Sequence, residues 1–204
     1  MLIKLLDNIL RENGKEIKGV IHVGAHHGEE LNKYVRLPHV IMFEPNPECF
    51  KILEQNVKGF GIEDTCKIVN KALGNFVGEH EMFADPTGLA GSLLEPVVAK
   101  EMPGLEFTEE FTVEVSRLDD EVPEEHPYNF LNMDTQGYEL EVLKGGTKVL
   151  KNIEMVYTEI NRAEIYKDCA KIEQMDEFLE EHGFKKIKEV WKSCEDWGDA
   201  LYIK

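Results

Sequence analysis

The sequence VIHVGAHHGEE, at residues 20–30, contains the strongest indication of the fold. The β-branched run at residues 19–23 is typical of a buried strand, and it stops at Gly24. Gly24–Gly28 carries a glycine at each end, and a helix is predicted from there to about Tyr34. A strand, a glycine turn and a helix in this order predict a parallel α/β unit whose turn can approach a ligand closely.

Strands and helices continue to alternate outward from this turn. Further strands are predicted at Val40–Phe43, Lys67–Val69, Asn129–Met133, Ile153–Tyr157, Phe184–Trp191 and Ala200–Ile203. Further helices are predicted after the Asn46 cap at Pro47, over Tyr138–Leu150 with a break near Gly145-Gly146, and over Lys171–His182. This order predicts a mostly parallel sheet with right-handed crossovers and an antiparallel C-terminal hairpin at its edge.

Residues 74–128 interrupt the alternation, because glycine and proline are frequent there. Phe111, Val113 and Val115 alternate with polar residues, which predicts at least one half-buried strand. We therefore predict a single domain over residues 1–204, with residues 74–128 as an insertion of hairpins and loops at one end of the sheet. Long loops in compact domains are often lids or binding loops, so this segment is expected to help shape a substrate pocket.

The composition restricts the class of partner. The 204 residues are 42% hydrophobic and carry a formal net charge of −17, which disfavours nucleic acid and anionic lipid as partners. A neutral small molecule or a glycan fits this charge better. Leu2, Leu5, Leu6, Ile9 and Leu10 predict an amphipathic N-terminal helix, and no apolar run approaches the ~20 residues of a membrane span. A cytoplasmic protein with its four cysteines reduced is expected, and the oligomeric state stays open.

Glu44 adds a second feature at the edge of the predicted sheet. It ends the second strand, 20 residues beyond Gly24, where a carboxylate can accept hydrogen bonds from both hydroxyls of a ribose. The turn and the acid together indicate an adenosine-type cofactor, either a dinucleotide or S-adenosylmethionine. The dinucleotide pattern G-x-G-x-x-G is absent, because position 26 is histidine.

Seven segments resemble, in order, the motifs of the FkbM family of methyltransferases: residues 20–30, 43–47, 70–74, 91–93, 116–119, 130–145 and 156–159. The resemblance covers roughly residues 17–204. It implies a Rossmann-like class I methyltransferase fold, with a mostly parallel seven-stranded sheet and S-adenosylmethionine at the carboxyl edge. Members of the family typically methylate a hydroxyl group, often on a sugar or a polyketide-like product.

Carried over residue by residue, the resemblance implies a cofactor site built by His22, Gly24, Ala25, His26, Gly28, Glu44, Pro45, Asn70, Ala72, Ser92 and Asp134. In this set Glu44 would hold the ribose, and Asn70 and Ala72 would lie near the adenine. Many relatives carry aspartate where this chain has His22. Another group, such as Glu29 or Glu30, would then supply the carboxylate for the ammonium group of the cofactor.

Three acids are the candidate catalytic residues: Asp134, Glu139 and Glu159. Methyl transfer to an alcohol requires removal of the acceptor proton, so one of them would act as a general base. Alternatively, Asp134 and Glu159 would bind magnesium, as acids at these strand ends do in related metal-dependent methyltransferases. A further alternative is that Asp134 only caps the next helix.

Several alternatives remain open at this level. One of His26 and His27 would act as a base, contact the substrate or, as we expect, only form hydrogen bonds at the surface. Trp191 and Trp197 would stack on a sugar or, as we expect, pack in the core or the hairpin. The predicted function is an S-adenosylmethionine-dependent O-methyltransferase for a sugar or glycan hydroxyl. A nucleotide-dependent oxidoreductase and a non-catalytic cofactor-binding module are the alternatives.

Overall fold

The computed structural model describes residues 6–97, 106–192 and 196–204. Its helices are α1 (Leu6–Glu12), α2 (Leu31–Tyr34), α3 (Pro47–Phe60), α4 (Leu118–Glu121), α5 (Glu139–Lys144) and α6 (Ile172–Glu181). Its strands are β1 (Val20–Val23), β2 (Val40–Phe43), β3 (Cys66–Val69), β4 (Ala72–Leu73), β5 (Gly78–Ala84), β6 (Glu109–Ser116), β7 (Phe130–Met133), β8 (Met155–Asn161), β9 (Lys185–Trp191) and β10 (Trp197–Ile203).

The main sheet has seven strands in the order β3-β2-β1-β7-β8-β10-β9. Strands β3, β2, β1, β7 and β8 are parallel, whereas β10 runs antiparallel to both β8 and β9. The predicted fold is therefore confirmed: a mostly parallel seven-stranded sheet of the class I methyltransferase type with an antiparallel C-terminal hairpin.

Alternating residues of the central strands face two separate cores. Val20 and Met42 pack with Leu31 of α2 and Leu53 of α3 on one face of the sheet. On the other face, residues such as Ile21 pack with apolar residues of α5 and α6. Because helices cover both faces, polar side chains can reach solvent mainly at the strand ends, and the ligand site of such folds lies at the carboxyl ends.

Helix α3 has the local features that sequence analysis predicts for it. The side chain of Asn46 accepts hydrogen bonds from the backbone N–H groups of Glu48 and Cys49, and Pro47 begins the helix. Gly61 then ends it in the left-handed conformation. The Asn46 cap fixes the start of α3 directly after Glu44, and the N–H of Asn46 also donates to the Glu44 carboxylate.

Strands β5 and β6 of the insertion form a second, three-stranded sheet with β4, which lies just before the insertion, in the order β4-β6-β5. Its strand β6 contains the predicted alternation at residues 111–115, with Val113 and Val115 buried. Sequence analysis does not predict strand β5. Its first four residues are all exposed and lack the alternation of apolar and polar residues that indicates a half-buried strand. Strands β8 and β10 also extend farther than predicted, and these extensions carry Glu159 and Asp199.

Helix α1 covers the domain at its N-terminal end, as predicted, and its Leu10 is buried against the β2 side of the core. Leu2 and Leu5 of the predicted amphipathic helix lie outside the described residues. Within the described part of the chain, every helix is too short or too polar to cross a bilayer.

Candidate functional site

A cavity of about 290 Å³ opens at the carboxyl ends of β1, β2, β7 and β8. Its walls come from the turn after β1, the ends of the neighbouring strands, the C-terminal hairpin and the insertion. Most of the predicted cofactor residues line it: His22, Gly24, Ala25, His26, Glu44, Pro45, Ala72, Ser92 and Asp134. The parallel sheet thus brings together residues that are more than 100 positions apart in sequence.

Gly24 lets the ends of β1 and β7 meet. Its backbone has a φ of +77°, and a Cβ atom at this position would lie 1.8 Å from the carbonyl oxygen of Asp134. The N–H groups of Gly24 and Ala25 both donate to the carbonyl of Phe43 at 3.0 Å. The glycine is therefore required by the contact between two strand ends, and the resulting turn forms the floor of the cavity.

Glu44 joins the turn after β1 to the connection after β2. One carboxylate oxygen accepts from the N–H of His26 at 2.7 Å and the other from the N–H of Asn46 at 2.8 Å. Burial raises the pKa of Glu44 to about 7, although these two N–H groups act in the opposite direction. Each oxygen keeps a second lone pair, so the carboxylate can still accept from a ligand diol.

His22 is neutral at the bottom of the cavity. The side chain is 3% exposed, and burial lowers its pKa to about 4. Its Nδ1 atom has no hydrogen-bond partner among the described residues. Two acids close in sequence also line the cavity. Glu29 pairs with His26 at 2.7 Å, and Glu30 is partly buried.

Asp134 and Glu159 converge across neighbouring strands. Met133 pairs with Thr158, which sets Asp134 beside Glu159 at the same level of the sheet. The Nε2 group of Gln136, a residue with a φ of +54°, donates to Asp134 at 2.6 Å and to Glu159 at 3.3 Å. Glu159 is buried, and burial together with the neighbouring carboxylates raises its pKa well above the usual value. Asp134 is exposed, and the surrounding protein and the carboxylate of Asp199 raise its pKa.

These contacts test the predicted magnesium site. A magnesium ion shared by Asp134 and Glu159 needs open space between the two carboxylates. Here the amide of Gln136 contacts both carboxylates, so a hydrogen-bond donor already fills that position. The residues do not fit a magnesium site.

Asp199 and Lys192 extend the site and are absent from the predicted residues. Asp199 lies directly opposite Glu159 in the antiparallel pair of β10 and β8. Lys192 lies 3.6 Å from Asp199, and both side chains line the cavity. Asp134, Glu159 and Asp199 therefore form one row of carboxylates across three adjacent strands. The only sequence signal for Asp199 is its position one residue before the predicted last strand.

Three predicted residues lie outside the lining of the cavity. Gly28 lies against Leu31 and Leu53, where a Cβ atom would be 2.6 Å from Leu31. The side chain of Asn70 donates to the carbonyls of Glu44 and Pro45 at 2.8 and 3.0 Å, so it braces that connection. Their contacts are with the protein itself.

Glu139 is the third predicted residue outside the lining. It is 2% exposed and accepts hydrogen bonds from the N–H groups of Thr135 and Gly137. Burial raises its pKa to about 7, with a further contribution from Asp134. In this position Glu139 holds the turn that carries Asp134 and Gln136.

The insertion contributes one wall of the cavity through Met82, Leu89 and Ser92. Leu89 is 61% exposed, so an apolar side chain stands at the cavity mouth. Trp191 contacts the guanidinium of Arg162 at 3.6 Å, and Trp197 packs beside Ile165 and Tyr166. Both tryptophans are partly buried in these contacts.

The lining of the cavity contains more acidic than basic side chains. Six acidic side chains line the cavity, from Glu29, Glu30, Glu44, Asp134, Glu159 and Asp199, against two ammonium groups, from Lys71 and Lys192. The imidazole of His26 adds a positive charge, because its hydrogen bonds to Cys49 and Glu29 outweigh its burial and raise its pKa to about 11. Lys71 is itself paired with Glu114 and Glu121 at 2.7 and 3.0 Å. Such a cavity attracts a cation and repels a phosphate.

Comparisons with known proteins agree with this architecture. One curated relative, the 2-O-methyltransferase NoeI of Sinorhizobium fredii, is 25% identical over 160 residues, which cover 72% of this chain and 65% of NoeI. The methyltransferase FkbM from Methylobacillus flagellatus has a similar structure, with a TM-score of 0.64 and 15% identity. That likeness covers 92% of this chain and 43% of the other, so this chain spans less than half of that protein.

A second solved structure extends the likeness in fold beyond this group. The magnesium protoporphyrin IX methyltransferase from Synechocystis, solved with bound S-adenosylmethionine, has a TM-score of 0.55 at 8% identity and covers 100% of this chain and 78% of its own. The family model of the methyltransferase FkbM domain matches residues 22–186, most of this chain. The chain belongs to the FkbM methyltransferase domain family.

Proposed function

We propose that the chain transfers a methyl group from S-adenosylmethionine to a hydroxyl group of a neutral sugar or glycan. The observation that carries this proposal is the row of Asp134, Glu159 and Asp199 beside the glycine turn and Glu44. The turn and Glu44 suit an adenosine with an amino-acid tail. The row supplies carboxylates beside the place where the reacting atoms would meet.

Charge favours this cofactor over a dinucleotide. S-adenosylmethionine carries a sulfonium and an ammonium group, whereas a dinucleotide carries two phosphates. With six acidic side chains in the lining against two ammonium groups and the imidazole of His26, the cavity favours the former and disfavours the latter. The same charge argues against the nucleotide-dependent oxidoreductase and against a nucleic-acid acceptor.

The cofactor supplies an activated methyl group, and the residues of the chain supply position and a base. Asp134 would accept the proton of the acceptor hydroxyl as the new O–C bond forms and the S–C bond breaks. The electron pair of the broken bond returns to sulfur, so charge and atoms balance. A carboxylate with a raised pKa is a better base than an ordinary one, and Asp134 meets this condition.

The remaining groups of the row orient these partners. Gln136 donates to Asp134 and holds its carboxylate in place, and Gln136 lies 3.0 Å from the hydroxyl of Tyr166. Glu159 and the pair of Asp199 with Lys192 offer acceptors and a donor for the other hydroxyls of a sugar. Methyl transfer requires the acceptor hydroxyl to be held in a fixed position beside the methyl group, and these contacts would hold it there.

The size of the cavity bears on the acceptor. About 290 Å³ is near the lower end of small-molecule sites, which begin at ~300 Å³, so one ligand fills it. The acceptor would then enter from the open side of the cavity, past Leu89. The end of a larger molecule can enter in this way. NoeI is named as a 2-O-methyltransferase, and this supports a hydroxyl as the group that receives the methyl.

The test of this function is a transfer assay with labelled S-adenosylmethionine and a panel of neutral and phosphorylated oligosaccharides. We expect label in one or more neutral members and none in their phosphorylated counterparts. Transfer to the phosphorylated members alone would contradict the proposed acceptor class. Affinity for the cofactor without transfer to any acceptor would favour the non-catalytic module.

Glu30 is expected to hold the ammonium group of the cofactor. The substitution Glu30→Gln removes a charge-assisted hydrogen bond and should weaken binding of S-adenosylhomocysteine by about 10–100-fold. Binding of methylthioadenosine, which lacks the amino-acid tail, should not change. Calorimetry with both ligands measures this difference. An equal loss for both ligands would show that Glu30 acts on the fold instead.

Binding of the cofactor is expected to weaken as the pH falls through 7. The ribose hydroxyls need Glu44 as an acceptor, and the pKa of Glu44 is raised to about 7, so it becomes protonated in this range. The affinity for S-adenosylhomocysteine should therefore fall by up to about tenfold per pH unit below 7. In Glu44→Gln the affinity should be lower and the pH profile flatter. A profile that Glu44→Gln leaves unchanged would assign the titration to another group.

A further inference from the structure

We propose that His26, His27 and Cys49 bind one zinc-class metal ion on the outer side of the cofactor turn. Each residue offers one ligand atom, and the three atoms all lie within 4.8 Å of one another. Zinc–ligand bonds are ~2.0–2.3 Å long, so small side-chain movements suffice to place the three atoms around one ion. This site is separate from the row of carboxylates and does not depend on the proposed transfer reaction.

Cys49 supplies the sulfur. It is 3% exposed and lies in the first turn of α3. Its Sγ atom faces the loop of the insertion, 4.0 Å from the carbonyl oxygen of Thr87. Gly88 has a φ of +75°, and a Cβ atom there would lie 2.4 Å from this sulfur. The glycine thus allows the loop to approach Cys49 closely.

His26 is oriented as a metal ligand is. Its Nδ1 atom lies 2.7 Å from a carboxylate oxygen of Glu29, and its Nε2 atom lies 2.9 Å from the carbonyl oxygen of Thr87. A carboxylate on one ring nitrogen typically fixes the other nitrogen toward a metal. An ion would replace the proton on Nε2, and the Thr87 carbonyl is in position to serve as a fourth ligand.

His27 completes the set of donors. Its ring stacks on that of His26, with centroids 3.7 Å apart and a tilt of 24°. Neither ring nitrogen of His27 has a hydrogen-bond partner among residues 6–97, 106–192 and 196–204, so a lone pair is available. The side chain is partly exposed, which gives an ion a path from solvent.

The donor set selects the class of ion. Two imidazole nitrogens and a thiolate suit zinc, cobalt or copper, whereas magnesium and calcium prefer oxygen donors. A bound ion would connect the turn after β1, the start of α3 and the loop at Thr87. These three segments enclose Glu44, so the ion would stabilise that side of the cavity by mass action.

Cobalt(II) titration of the metal-free protein tests the proposal, because a thiolate ligand gives cobalt a characteristic near-ultraviolet charge-transfer absorption. We expect this band to saturate at one equivalent in the wild type and to be absent in Cys49→Ser. It should persist in Cys66→Ser, which changes another buried free cysteine. Absence of the band in the wild type, or its persistence in Cys49→Ser, would overturn the proposal.

A second measurement keeps the proposal testable if Cys49→Ser fails to fold. Glu29→Gln keeps all three ligands but loses the carboxylate on His26. Its zinc affinity, measured by competition with a chromophoric chelator, should fall by about 10–100-fold. His27→Gln should also weaken zinc binding, and circular dichroism would confirm that each variant folds. Unchanged zinc affinity in both folded variants would exclude this site.

Discussion

Asp134→Asn is expected to lower the rate of methyl transfer by about 10²–10⁴-fold, the usual contribution of a general base. The asparagine keeps the size of the side chain and its place beside Gln136, but it cannot accept the proton. Binding of S-adenosylhomocysteine should persist, because this product carries no sulfonium charge. The rate is measured with labelled cofactor on the acceptor that the panel identifies.

The matched control for this substitution is Asp120→Asn. Asp120 is an exposed carboxylate paired with Arg117 at the surface, outside the lining of the cavity. Its loss should leave the rate unchanged. If Asp134→Asn transfers methyl groups as fast as the wild type, Asp134 is not the base, and Glu159 becomes the group to replace next.

Gly24→Ala is expected to cause a large loss of stability. The φ of +77° and the 1.8 Å approach to Asp134 each oppose a side chain at this position. Left-handed strain costs about 1–3 kcal/mol, and overpacking costs a similar amount, so the free energy of unfolding should fall by about 2–6 kcal/mol. Denaturant unfolding followed by circular dichroism measures this change.

Gly59→Ala serves as the matched glycine control. Gly59 lies in α3, and a Cβ atom there would meet no other group of the described residues within 4 Å beyond its own helix backbone. Because alanine favours a helix over glycine by up to about 1 kcal/mol, this variant should be as stable as the wild type or slightly more stable. Equal, small effects in both variants would contradict the contact between β1 and β7.

Local patterns explain which parts of the fold could be predicted. The short runs of β1, β2 and β7 are buried on both faces and end in glycine or acidic residues, so the sequence alone marks them. Strand β5 is exposed on most of its length and has no such pattern. It forms because β6 pairs with it along its whole length, which is a long-range contact.

Some residues of the candidate site could also be predicted from local sequence, whereas others depend on long-range contacts. Gly24 and Glu44 follow strands directly, so their place at the sheet edge could be predicted. Asp199 could not, because it reaches the cavity only through its pairing with Glu159 in an antiparallel register. The roles of Asn70 and Glu139 also depend on which backbone groups their side chains contact in the folded chain.

Titration calorimetry of the purified chain with S-adenosylhomocysteine and with NADH is the direct test of which cofactor the cavity binds. We predict one equivalent of S-adenosylhomocysteine bound and no measurable binding of NADH, since the cavity suits an amino-acid tail and repels phosphates. Binding of NADH without S-adenosylhomocysteine, or binding of neither, would contradict the proposed use of S-adenosylmethionine.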